Sequence, residues 1–223
     1  MRSTVIFDVN ETLLDLEPVR AEFERISGDP ALATTWFGTL LKLAFVASLT
    51  AAYRPFTDLA GAAFDMVAEA GGTAPKTADR DAVVHALGTL PAHPDATEGL
   101  RLLDHAGFRI AALTNSPQRV AEHQLANAGL ADHFEHIMSV EMVRTFKPAP
   151  ATYRAALERL GTAPNETVFI AAHDWDIAGA MAVGLRGAFV ARPGQVLSPL
   201  QPVPEYIGPD VAAVAREIIA TTP

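Results

Sequence analysis

Four polar clusters in this 223-residue chain carry groups that could work together: Asp8 with Asn10, Glu11 and Thr12; Thr114-Asn115; Lys147; and His173, Asp174 and Asp176 around Trp175. A buried carboxylate kept ionised by a nearby ammonium is a nucleophile, able to form an ester or an acyl phosphate. Asp8 and Lys147 are the candidates for that pair. Hydroxyl and amide groups at Thr114 and Asn115, with the helix N-terminus that follows them, suit the oxygens of a carboxylate or a phosphoryl group. The plainer alternative for Asp8 is a cap on the turn before the next helix.

Bringing these clusters together requires strands that end at them. Ser3 to Phe7 is short, β-branched and aromatic, and reads as a buried strand ending at Asp8. Phe108–Leu113 and Val168–Ala172 are similar runs ending at the second and fourth clusters. His136–Val140 and Gly187–Ala191 read as further strands, with an edge strand at Tyr206-Ile207 in the proline-rich stretch 193–209. Helical patterns lie between them: Glu98–Ala106, Pro117–Ala128, Ala151–Leu160, Trp175–Val183 and Val211–Ala220, several stopped by glycine. Alternating strands and helices predict right-handed crossovers and a parallel sheet. Between the first strand and Pro91 there is only helical patterning, over Val19–Ile26, Ala33–Ala52, Leu59–Ala70 and Ala78–Leu87. The expectation is a doubly wound α/β core over residues 1–15 and 93–223, with a helical cap at 16–92 that closes over Asp8.

Composition bounds the partners. A net charge of −9 without a run of Lys and Arg argues against nucleic acid or an anionic membrane surface. A small anionic substrate would be met by a few local cations and helix ends. There is no cysteine, which rules out disulfides, thiolate catalysis and cysteine-based zinc sites. Met1-Arg2 leads straight into the first strand without the pattern of a secretory signal, so the expected compartment is the cytoplasm. Leu40–Ala52 is too short to span a bilayer and is expected to be a packed helix, whose apolar character also makes a homodimer an expectation.

The segments FDVNETLLD, LTNSP, KPAPATY and AAHDWDIAGA, in this order, resemble the four motifs of the haloacid dehalogenase superfamily. In its cap, LTNSP, KPAPATY and WD pair the chain is most similar to the L-2-haloacid dehalogenases. That resemblance implies a Rossmann-like core and hydrolysis of the carbon–halogen bond of short 2-haloalkanoic acids. An aspartate displaces halide from C2, and water then hydrolyses the ester with no cofactor or metal expected. Carried over, Asp8 is the nucleophile; Thr12, Thr114 and Asn115 position carboxylates; Lys147 with Tyr153 supports Asp8; and Asp176 orients Lys147 or the hydrolytic water. Asn10 joins the substrate-binding set.

Two alternatives stand beside it. A Mg²⁺-dependent small-metabolite phosphatase would hold its metal with Asp8, Asn10, Asp174 and Asp176, but Asn10 cannot exchange a proton as a second aspartate would. A catalytically weak ligand-binding homologue is the other. Three departures from the dehalogenase pattern motivate it. Phe37 stands where the family has a halide-binding arginine, Asn10-Glu11 replaces Tyr-Gly, and Ala171-Ala172-His173 replaces Ser-Ser-Asn. His173 is a candidate general base for ester hydrolysis, the alternative being a hydrogen bond to a loop carbonyl or the cap. Phe37, Phe56 and Trp175 could line an apolar pocket or be ordinary core. Arg54 is a candidate replacement cation or a solvated residue, Glu11 a cap contact or a plain charge at a helix start, and His133/His136 a solvated pair.

Overall fold

The computed structural model describes residues 3–221; Met1 and Arg2, read above as leading into the first strand, lie outside them. Six strands form one parallel sheet: β1 (Thr4–Phe7), β2 (Arg109–Thr114), β3 (His136–Ser139), β4 (Thr167–Ala171), β5 (Arg186–Val190) and β6 (Tyr206–Gly208). Their order is β3-β2-β1-β4-β5-β6. The chain therefore reverses its winding direction at β1, and the crevice beyond the carboxyl ends of β1 and β4 is where such sheets bind ligands. β1 is buried along its whole length, as a strand covered by helices on both faces must be, which is why it reads as a continuous apolar run.

Four helices lie between β1 and β2 before the core pattern resumes: α1 (Glu17–Ser27), α2 (Leu32–Leu49), α3 (Phe56–Ala70) and α4 (Thr77–Gly88). They bury their apolar faces on one another, with Phe23, Trp36 and Phe64 at the centre and Trp36 Nε1 donating to Ala60 O at 2.9 Å. α2 ends at Leu49, three residues before the expected end at Ala52. Ala51 takes a left-handed backbone (φ 53°), which turns the chain towards Pro55 although no glycine announces the stop. By length and composition α2 alone among the described residues passes as a membrane span, yet its Trp36, Phe37, Leu40 and Ala44 are buried inside the protein.

The two connections to these helices run side by side. Asp15 N donates to Pro91 O (2.9 Å) and His93 N to Leu13 O (2.8 Å). Beyond them come α5 (Ala96–His105), α6 (Gln118–Asn127), α7 (Pro150–Leu160), α8 (Asp174–Ala182) and α9 (Val211–Thr221). β6 pairs in parallel with β5 at the sheet edge, so the Tyr206-Ile207 reading holds.

Candidate functional site

Asp8 follows β1 directly, and its N–H donates to Ile170 O on β4 at 3.0 Å, which extends the ladder one residue and fixes where the side chain points. Every side of its carboxylate is engaged. Oδ1 accepts from Lys147 Nζ at 2.7 Å; Oδ2 accepts from Thr12 Oγ1 at 2.7 Å and lies 3.3 Å from His173 Nδ1. Burial raises the Asp8 pKa, but the charge of Lys147 and the hydrogen bond and charge of His173 outweigh it, so the carboxyl is held well below the usual carboxylate range. Asp8 is an anion throughout the neutral range.

Lys147 comes from the loop after β3, before α7, and is 1 % exposed. Its three donors meet three acceptors: Asp8 Oδ1, Asp176 Oδ2 at 2.6 Å and Leu113 O at 2.9 Å. Burial lowers its pKa, but Asp176 and Asp8 together raise it above the normal lysine value. Asp176 sits in the first turn of α8, and its Oδ1 accepts from Tyr153 Oη at 2.6 Å. Burial first, and then the Asp8 charge, push Asp176 upward against the pull of Lys147, while burial and the Asp176 charge push the Tyr153 phenol well up. Gly179 lets α8 come this close. A Cβ there would lie 2.5 Å from Pro148 Cβ and 2.6 Å from Tyr153 Oη.

His173 is the residue that the sequence left most open. Its Nε2 lies 2.9 Å from Glu11 Oε2 while Nδ1 faces Asp8, so neither ring nitrogen meets a loop carbonyl. Two carboxylate acceptors require two N–H donors, which makes the ring an imidazolium. Burial lowers its pKa, yet the hydrogen bonds to Asp8 and Glu11 and their charges push it up to about 10. The ring is also stacked between Phe37 of α2 (5.9 Å) and Trp175 of α8 (5.1 Å), and Trp175 meets Phe45 of α2 edge-on at 5.5 Å. Glu11 reaches the histidine from a left-handed backbone (φ 61°), a conformation that costs a non-glycine residue roughly 1–3 kcal/mol.

The remaining expected residues divide. Thr12 bridges the site, donating to Asp8 and accepting from Ala172 N at 2.9 Å. Asn115 Oδ1 accepts from Lys147 N at 3.0 Å and so fixes the lysine loop. Thr114 Oγ1 accepts from Ser116 N at 3.2 Å and shapes the turn. Asn10 points away from Asp8: its Nδ2 donates to Ser116 Oγ at 3.3 Å and its Oδ1 accepts from Gln124 Nε2 at 3.1 Å. Phe56 packs against Phe146 at 5.9 Å and takes no part in the His173 stack. Arg54 is exposed, in keeping with a solvated residue.

The set Asp8, Asn10, Asp174 and Asp176 is not assembled as a metal site. The Lys147 ammonium stands between the two buried aspartates, and Asn10 is held elsewhere. Among the described residues no three His, Asp or Glu side chains converge on a possible metal position. Sequence reasoning underrated Glu11 and missed Phe45, Gln124 and Phe146. The signal for Glu11 was a charged residue three positions after Asp8 in a segment whose neighbours are all buried; the other three look like ordinary helix or loop residues until packed. What this arrangement can do is present an ionised carboxylate between two cations, one of them a histidine able to give up its proton.

Residues 3–184 match the hydrolase family described as haloacid dehalogenase-like hydrolase. The (S)-2-haloacid dehalogenase 1 of Pseudomonas sp. (strain CBS-3) is 30 % identical over 189 residues, covering 84 % of this chain and 83 % of its own. Among solved structures, the L-2-haloacid dehalogenase from Xanthobacter autotrophicus superimposes with a TM-score of 0.92 at 26 % identity, over 100 % of both chains. The same enzyme with chloropropionic acid covalently bound gives 0.92 at 25 % identity, again over 100 % of both.

Proposed function

The chain belongs to the haloacid dehalogenase-like hydrolases, and from that premise we propose that it hydrolyses the carbon–halogen bond of short 2-haloalkanoic acids through an ester on Asp8. The observation that carries this reading is the ionised Asp8 carboxylate, held by Lys147, Thr12 and His173 at a strand end with Asn10, in place of a second aspartate, two residues on. A carboxylate oxygen of Asp8 attacks C2 while the carbon–halogen bond breaks, and halide leaves with the electron pair. Lys147 holds Asp8 ionised and oriented, and Asp176 with Tyr153 holds Lys147. In this reading Asn115 and Thr12 position the reacting groups, and Phe37 and Trp175 wall the apolar side.

Ester hydrolysis then falls to His173. Esterification removes the charge from Asp8, and with it the strongest influence keeping His173 protonated; burial remains and favours the neutral ring. Nδ1 loses its proton to solvent, the one proton released with each halide, and Nε2 keeps its own on Glu11, so a carboxylate-oriented imidazole faces the ester. It accepts a proton from water attacking Asp8 Cγ and returns that proton to the departing 2-alkoxy oxygen as the tetrahedral intermediate collapses, releasing the 2-hydroxy acid. The second water proton, left on the Asp8 carboxyl, then passes to Nδ1 and restores the carboxylate beside a protonated ring.

Purified protein given 2-chloropropionate is expected to release halide at the same rate with EDTA as with Mg²⁺. Asp8→Asn abolishes that release; retained turnover in this variant defeats the assignment. Phosphate release from p-nitrophenyl phosphate that requires Mg²⁺ favours the phosphatase instead. We read residues 16–92 as a cap hinged where Leu13–Asp15 runs beside Pro91–His93. Val46 and Leu49, 50 % and 88 % exposed on α2, are our candidates for a homodimer contact, which Leu49→Glu would disrupt in light scattering. The cytoplasm remains the compartment we favour, to be tested by cell fractionation.

A further inference from the structure

Two cavities meet beside the nucleophile loop. The first, about 160 Å³, lies against α1 and α2 and is lined on its apolar side by Leu16, Phe37 and Leu41. The second, about 330 Å³, continues from it past Asp15, His93 and Arg192. Glu11, Leu16, Arg20 and Gln195 line both, so the two spaces adjoin across these side chains. Glu11 and Phe37 form the wall towards the reacting centre, since both also contact the His173 ring, by hydrogen bond and by stacking.

One cation in this space has donors to spare. Arg192 is consumed by Thr12 O (2.8 Å) and by both oxygens of Asp95 (2.6 and 3.0 Å). Burial and the Arg192 charge hold the His93 pKa low, so it adds no positive charge at neutral pH. Arg20, by contrast, approaches Asp15 at 3.6 Å and Glu17 at 3.7 Å, longer than hydrogen bonds, and both pairs are partly exposed and weak. Its guanidinium can turn an edge of two parallel N–H donors to a carboxylate, the bidentate geometry in which arginine recognises such a group. With Glu11, Asp15 and Asp95 around it and a chain charge of −9, an anion needs that cation to enter here.

We propose that the adjoining cavities are the antechamber through which a short 2-haloalkanoate reaches Asp8, with Arg20 as the specificity-determining residue that binds its carboxylate. The apolar wall of Leu16, Phe37 and Leu41 takes the carbon and halogen end. The assignment rests on the dehalogenase reading, and two measurements separate them. Propionate, which has no leaving group, is titrated into the full-length protein by calorimetry: the wild type binds it and Arg20→Gln binds about tenfold more weakly, with Arg20→Lys between them. In turnover of 2-chloropropionate, Arg20→Gln raises KM about tenfold with little change in kcat, and the effect shrinks in high salt.

Gly38→Leu supplies an independent arm. A Cβ at Gly38 has nothing within 4 Å, the residue lines the first cavity, and leucine favours the helix. Filling the cavity should lower kcat/KM while Asp8 still forms its ester. Propionate binding that ignores Arg20→Gln overturns the proposal, as does an unchanged kcat/KM in Gly38→Leu or a fall in kcat at constant KM in Arg20→Gln. Absence of halide release from the wild type, with propionate binding still dependent on Arg20, defeats the reaction assigned to Asp8 and leaves the antechamber standing.

Discussion

Replacing His173 with asparagine separates the two halves of the proposed reaction. In the free protein the histidine pKa is pushed from 6.5 up to about 10, a gain of roughly 5 kcal/mol for the protonated ring. Asp8 and Glu11 each contribute a hydrogen bond and a charge to that gain, against the opposing effect of burial. Turning Asp8 into a neutral ester removes its hydrogen bond and its charge from that gain while burial still favours the neutral ring, so the proton-binding constant of the ring falls and the neutral imidazole becomes accessible near neutral pH. The first half-reaction uses the ionised Asp8, which Lys147 and Thr12 still hold in His173→Asn; the second requires a base that asparagine cannot be. A rapid-quench experiment with 2-chloropropionate should therefore give a halide burst approaching one per site, followed by turnover slowed by about 10²- to 10³-fold. Intact-mass spectrometry should show the ester accumulating on Asp8. Turnover at the wild-type rate, or loss of the burst without any ester, refutes the base assignment.

Glu11→Gln leaves His173 with one carboxylate, so its pKa, followed by NMR, should fall below about 10 and ester hydrolysis should slow by less than in His173→Asn. In the wild type the raised His173 pKa contributes stability that is fully present below about pH 6.5 and lost as pH climbs through about 10; thermal melts across pH 6 to 10.5 should fall accordingly, and less steeply in Glu11→Gln. Lys147→Met leaves Asp8 and Asp176 at most about 5 Å apart with no cation between them. At an effective dielectric of about 20 that repulsion is about 3 kcal/mol, so one carboxyl keeps its proton in the folded state and stability in denaturant melts should decline from pH 5 to pH 8, with halide release lost. Gly179→Ala forces its Cβ onto Pro148 and Tyr153 Oη; we expect a loss of about 1–3 kcal/mol in urea melts and a lower kcat as Tyr153 shifts from Asp176.

The alternation of apolar runs with glycine-stopped helices determines the parallel sheet from sequence alone, because burial on both faces and crossover handedness leave few ways to wind it. The same logic places Asp8, Asn115, Lys147 and Asp176 at one crevice, since each follows a strand that must end there. What the sequence could not decide is where each side chain turns once it arrives. Asn10 and Glu11 are neighbours in the chain, yet the left-handed backbone at Glu11 sends one to Ser116 and Gln124 and the other to His173. Phe37 and Trp175 are far apart in sequence and meet only across the His173 ring. The charge of that ring depends on two carboxylates converging on it in a buried space, and only the tertiary structure brings them there.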